Sequence, residues 1–171
     1  MIFVILGSQR FQFNRLLTEI DELMQSGFIT EPVFAQIGCS DYKPRNYEYK
    51  DFLNQDEFNE WVSKSDIIIT HGGTGAIIGA VRKGKKVIAV PRLAKYGEHV
   101  DDHQLQVIGQ LKDKNIICGL DDCSELKDGL EYVKNHTFDS YMSNTKAIVE
   151  SIKAFIERPQ KILCNRQSMT V

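Results

Sequence analysis

No apolar run in this sequence approaches the ~20 residues that a helix needs to cross a bilayer. Its apolar runs, MIFVIL at 1–6 among them, are strand-sized. No charged segment precedes that first run and it stops at Gly7, so it does not read as a signal peptide. Cysteine is sparse: Cys39, Cys118, Cys123 and Cys164 match no zinc-ligand spacing and no CxxC pair. Reduced thiols and a cytoplasmic location are the expectation. An excess of one charge is lacking too. A formal net charge of -2 gives no bulk electrostatic case for nucleic acid, and the RKGKK run at 82–86 reads as solvated surface beside a strand. Internal repeats and low-complexity segments are absent. The expectation is a chain with no membrane span of its own, touching a membrane peripherally or through a partner if at all.

What is present is an alternation. With 42% hydrophobic residues over 171 positions, one domain with a full core is expected. Strands are predicted over 1–6, 32–38, 47–52, 66–70, 86–90 and 115–119. Between them, 14–27, 56–65, 74–84 and 100–114 carry helical periodicity, with Gly27 and Gly84 as stops. Two further helices, over 122–135 and 141–156, close the pattern, with Ser124 as the expected N-cap of the first. This order predicts an α/β domain: a Rossmann-like parallel sheet with helices on both faces, spanning 1–157. Residues 158–171 (RPQKILCNRQSMTV) lose periodicity and read as a tail, mobile or partner-docking.

In such sheets ligands bind at the carboxyl ends of the strands. Three loops there carry suggestive chemistry: LGSQRFQF after the first strand, HGGTG at 71–75 after the fourth, and PRLAKYGEHVDDHQ at 91–104 after the fifth. HGGTG directly precedes a helix, where free backbone N–H groups and the positive end of the helix dipole meet. Two readings stay open on this motif alone: a phosphate seat, or a turn that needs glycine. Two nucleotide motifs fail. GxGxxG is met at Gly73 and Gly75 but has Ile78 third, and GAVRKGKK ends in Lys86 where a P-loop needs a hydroxyl. His99 and His103 have metal-ligand spacing, but no third ligand is evident, so no metal is expected. The other reading is a polar cluster in which Asp101, Asp102 and Gln104 face the HGGTG cleft, a lining suited to sugar hydroxyls.

Taken together, GSQRFQFNRLL, SDIIITHGGTG, GKKVIAVP and DDHQ, in this order, resemble the C-terminal, donor-binding domain of the family 28 glycosyltransferases of GT-B fold. The likeness covers about residues 1–155. It is nearest to the stand-alone subunits of bacterial capsule and exopolysaccharide galactosyltransferases, which are related to the catalytic subunit of the eukaryotic lipid-linked-oligosaccharide N-acetylglucosaminyltransferase. It implies a donor diphosphate held by Gly7 and Ser8 on one side and by Gly72, Gly73, Thr74 and Gly75 on the other. It places Asp101, His103 and Gln104 at the donor sugar, and Phe52 and Leu53 at the uracil. It implies no cofactor beyond the UDP-sugar donor. One departure stands out: relatives carry an acid for the ribose hydroxyls where this chain has Gly79.

A GT-B enzyme needs two Rossmann-like halves, and this chain is long enough for one. The resemblance therefore implies a membrane-anchored, acceptor-binding partner and a lipid-linked saccharide acceptor, with this chain peripheral at the inner face of the membrane. The expected reaction is metal-independent, inverting transfer from a UDP-sugar, with galactose in β-1,4 linkage as first choice over N-acetylglucosamine and glucuronic acid. His71 is the local candidate for general base, against a role in shaping the phosphate loop. The alternatives are a non-catalytic nucleotide-sugar sensor or partner-stabilising module and, against the missing dinucleotide fingerprint, another nucleotide-sugar enzyme such as an epimerase.

Overall fold

The computed structural model describes residues 1–143 and 145–157. The tail expected over 158–171 lies outside them. Six strands form one fully parallel sheet: β1 (Ile2–Ile5), β2 (Val33–Gln36), β3 (Glu48–Lys50), β4 (Ile67–His71), β5 (Lys86–Val90) and β6 (Cys118–Gly119). Their order is β3-β2-β1-β4-β5-β6, the doubly wound arrangement whose crossover point lies between β1 and β4.

Alternation along the strands explains why both faces are covered. In β1, Ile2 and Val4 point to one core with Ile67, Ile69, Ile88 and Val90. Phe3 and Ile5 point to the other with Ile68, Val87 and Ala89. Helices α1 (Asn14–Gln25) and α5 (Leu126–Asn135) cover the first face through Leu16, Leu17, Ile20, Leu126, Leu130 and Val133. Helices α2 (Gln55–Lys64), α3 (Thr74–Arg82) and α4 (His103–Asp113) cover the second, with Val62, Ile77, Ala80, Ile108 and Leu111 buried. There the Trp61 ring stacks on Phe34 at 3.8 Å between centroids.

Local chemistry sets the ends. Asn54 caps α2 in a capping box with Glu57, each side chain accepting from the other's backbone N–H. Gly27 and Gly84 have φ of +75° and +72°, so both helix stops rest on the left-handed backbone glycine tolerates. Ser124 does not cap α5. Asp122 instead accepts from Ser124 N–H in a 3-10 turn at Cys123–Glu125, because its carboxylate starts the turn earlier than the helical pattern shows. The strand expected over 115–119 shrinks to Cys118–Gly119, since Asn115 takes φ +52° and breaks the extended run.

The chain divides into two compact units, Met1–Tyr141 and a second beginning at Met142 that carries α6 (Thr145–Ile156). The first is shorter than the domain expected over 1–157. On α6, Ile148, Val149, Ile152, Phe155 and Ile156 are all exposed. No helix of the described residues is long and apolar enough to cross a membrane.

Candidate functional site

The three sequence-marked loops meet at the carboxyl ends of β1, β4 and β5. Their packing depends on glycine. A Cβ on Gly7 (φ +74°) would lie 2.7 Å from His71 Nε2, and one on Gly73 would lie 2.2 Å from His71 Cε1. The imidazole is thus wedged between the first loop and the HGGTG turn. A Cβ on Gly72 would meet Gln104 Cβ at 2.6 Å. A Cβ on Gly75 or Gly79 would meet nothing within 4 Å. The turn reading of HGGTG thus accounts for Gly72 and Gly73, which the packing requires, and leaves Gly75, which faces open space.

The backbone donors divide the same way. Gly72 N–H donates to Gln104 Oε1 at 2.9 Å, and Gly73 N–H donates to His71 Nδ1 at 3.0 Å. The N–H groups of Thr74, Gly75 and Ala76, in the first turn of α3, have no acceptor among the described residues. Neither do those of Gly7 and Ser8. These five donors and the positive end of α3 are left available to an anion. Ala76 was not singled out in the sequence; only its place in the first helical turn marks it.

His71 is buried and accepts at Nδ1, so its proton sits on Nε2, facing Gly7. Burial, with the Arg92 charge adding, pushes its pKa down to about 4. The ring is a neutral wedge whose accepting nitrogen is already occupied. The sign for stability follows. In the unfolded chain histidine takes up a proton near pH 6.5, whereas in the fold it resists until about pH 4. Stability should fall as the pH drops through that window, by about 3 kcal/mol in total. Urea unfolding from pH 7 to 4.5 checks this, and His71→Asn, which keeps an acceptor, should flatten the dependence.

Gln104 is buried at the foot of the turn, and its Oε1 also accepts from Arg92 N–H at 3.0 Å. One amide oxygen thus ties β4's exit to β5's exit. Its Nε2 has no partner among the described residues. Asp101 and His103 are exposed and paired with each other, and His99 Nδ1 lies 3.3 Å from the same Asp101 oxygen. Ligand atoms of His99, Asp101 and His103 lie within 4.8 Å of one another, so Asp101 is the third group that the His99–His103 spacing lacked in the sequence. This trio could hold a divalent cation. Asp102 does not share the cleft lining. It turns back to accept from Ala94 N–H at 2.7 Å, because the 3-10 turn at Ala94–Tyr96 presents an N–H within reach.

Two recesses adjoin these donors, one at Gly75 and Ala76 and the other at Ser8. One, of about 310 Å³, lies between α2 and α3 and is lined by Gln55, Phe58, Asn59, Gly75, Gly79 and Lys83, with Ile5 on its floor. The other, of about 470 Å³, is lined by Ser8, Gln9, Arg10, Phe11, His99 and Val100. A cavity of about 490 Å³ beside β6 and α5 holds none of the sequence-marked residues. Phe52 is half exposed, and Leu53 N–H donates to Gln36 Oε1 at 3.3 Å; neither lines the first recess, whereas Gln55 does. Gln36, which the sequence reading missed, also donates from Nε2 to Gly7 O at 3.4 Å and so couples the first loop to the α2 entry. Because the space at Gly79 is open and the residue lies inside α3, Gly79→Ala is expected to stabilise the protein by about 0.5–1 kcal/mol. Chemical denaturation would read this directly.

The third loop is braced from α1. Arg15 donates to both carboxylate oxygens of the buried Glu98, at 3.2 and 3.1 Å, and to Asp122 at 2.9 Å. Glu98 in turn accepts from Leu93 N–H at 3.0 Å. Arg15, the second arginine of the first motif, therefore fixes the 91–98 loop, whereas Arg10 lines the recess beside Ser8.

The human UDP-N-acetylglucosamine transferase subunit ALG13 is 28% identical over 99 residues, 58% of this chain but only 7% of that protein's length. The crystal structure of the glycotransferase of kitacinnamycin superposes with a TM-score of 0.59 at 16% identity, over 90% of this chain and 37% of that one. At that identity it supports the fold alone. The sequence model of the glycosyltransferase family 28 C-terminal domain matches residues 1–158, nearly the whole chain, and the protein belongs to that family.

Proposed function

We propose that this chain is the donor-binding subunit of an inverting glycosyltransferase, moving a sugar from a UDP-sugar to a lipid-linked saccharide in capsule or exopolysaccharide synthesis. The observation that carries this reading is the set of five unpartnered N–H groups, on Gly7, Ser8, Thr74, Gly75 and Ala76, with a recess to either side. A diphosphate fits the seat, a nucleoside the α2–α3 recess, and a sugar the recess by Ser8 and His99. Backbone donors aimed at the diphosphate would stabilise the charge that grows on the departing UDP. No cofactor is needed for that chemistry.

His71, neutral and wedged, serves the loop rather than the acceptor, and the general base belongs to the partner. The partner is membrane-anchored and brings the lipid-linked acceptor, so this chain works as a cytoplasmic protein held at the inner face of the membrane. Support for a partner comes from the exposed apolar residues of α6. The human relative is itself named as a subunit, and its name makes UDP-N-acetylglucosamine the second donor to test after UDP-galactose. UDP-glucuronic acid is the third.

The test is co-expression with a membrane-anchored partner and transfer of labelled sugar from each donor. Transfer by the pair, and not by either alone, is the expected result. Ile152→Asp with Phe155→Asp should abolish co-purification of the pair and leave UDP binding by this chain within about 2-fold. UDP binding without transfer from any donor would leave the second reading, a non-catalytic sensor. The open space at Gly79, with no carboxylate lining that recess to bind ribose, is what keeps that reading in view.

A further inference from the structure

Arg92 is fully buried, at 0% exposure, yet two of its three guanidinium nitrogens have no partner. Nη2 donates to Leu6 O at 2.6 Å, while Nε and Nη1 have no acceptor among the described residues. A buried cation is costly unless it is paired. Glu98, the carboxylate whose charge acts on Arg92, is already bound to Arg15 and to Leu93 N–H. The Phe13 ring, 5.6 Å from the guanidinium carbon, adds only a weak cation–π contact.

The position of this charge is specific. Leu6 O belongs to the peptide group whose N–H is that of Gly7, one of the five unpartnered donors. Arg92's own N–H is tied by Gln104 to Gly72, so the residue is bonded to both walls of the seat. We infer that Arg92 is a positioning residue for the diphosphate: its buried charge, with no ion-pair partner of its own, acts from beneath the two loops, polarising the Leu6–Gly7 peptide toward the anion and gaining a counter-charge when the diphosphate arrives. It does not touch the ligand. The inference rests on the proposed UDP-sugar site, and only on its phosphate part.

The test compares the full-length protein with Arg92→Gln, which keeps a donor for Leu6 O but loses the charge, and with Arg92→Lys, which keeps a cation. Calorimetric titration would use UDP, inorganic pyrophosphate and uridine. Arg92→Gln should bind UDP and pyrophosphate about 10-fold or more weakly, bind uridine within about 2-fold of wild type, and melt no lower than wild type in the absence of ligand. Arg92→Lys should lose no more than about 3-fold. A merely structural arginine would give the opposite: a lower melting temperature, or failure to fold, with uridine and UDP weakened together. Either result, or unchanged UDP and pyrophosphate affinity in Arg92→Gln, overturns the inference. If wild type binds pyrophosphate but not UDP, the nucleotide-sugar reading falls and the pyrophosphate arm alone decides for Arg92. If wild type binds neither anion, both fall.

Discussion

Gln104→Ala is expected to lower the melting temperature by about 10 °C and to abolish sugar transfer. The amide oxygen it removes accepts from two buried backbone donors, Gly72 N–H and Arg92 N–H. Each orphaned group costs about 1–3 kcal/mol, and 1 kcal/mol moves the midpoint of a chain this size by about 2–4 °C. The loss is greater than the deletion of one contact because the same oxygen joins the exits of β4 and β5. Gln104→Glu separates the two roles of the side chain. Its carboxylate can still accept from both donors, so thermal unfolding should stay within about 4 °C of wild type. It lacks the Nε2 donor and sets a negative charge near the seat, so transfer should still fall by about 100-fold. A Glu variant with full activity would remove Gln104 from the donor side and leave it as a brace.

Gly73→Ala is expected to weaken UDP binding by about 100-fold. The added methyl would sit 2.2 Å from His71 Cε1, a distance no Cβ tolerates, so the ring must move. The ring has little room to move, since its Nε2 would stand 2.7 Å from a Cβ on Gly7 and its Nδ1 accepts from the Gly73 N–H itself. Displacing it separates the first loop from the HGGTG turn, and the donors of Gly7 and Ser8 no longer face the same anion as those of α3. An effect of about 3 kcal/mol on binding is the scale of a lost cluster of charge-assisted hydrogen bonds. Equilibrium titration with UDP measures it. Gly75→Ala, two residues on, meets nothing within 4 Å and should leave the fold unaltered, so the pair shows which glycines the turn needs.

Much of this fold can be read from the chain alone, for identifiable reasons. β1, β4 and β5 are apolar runs ended by Gly, His or Pro, and burial on both faces is what such runs require. α1 shows its buried face in Leu16, Leu17, Ile20 and Leu23. The edges are harder. β3 reads EYK, wholly exposed, and β6 pairs over two residues, because an edge strand has too few neighbours to demand an apolar pattern.

The site divides in a similar way. Its loops are visible because glycine clusters at strand ends are rare enough to notice. Which of their N–H groups remain available is not visible, since that depends on Gln104, 32 residues after Gly72, and on the rotamer of His71. The sequence marked Gly72 and Gly73 as phosphate ligands through the family resemblance. In the fold their N–H groups are already engaged, and Ala76 joins Thr74 and Gly75 as a free donor. Arg92 and Gln36 passed unnoticed for the same reason. A single charged or amide residue at a strand exit carries no pattern, and only the three-dimensional neighbours show what it touches.

The proposed function requires that the first loop and the N-terminus of α3 form a diphosphate seat next to a nucleoside recess. Calorimetric titration of the full-length protein with UDP and with uridine tests it most directly. UDP should bind with a Kd of about 1 mM or tighter, and uridine at least about 10-fold more weakly. Equal affinity for the two, or no UDP binding at several times that concentration, would contradict it.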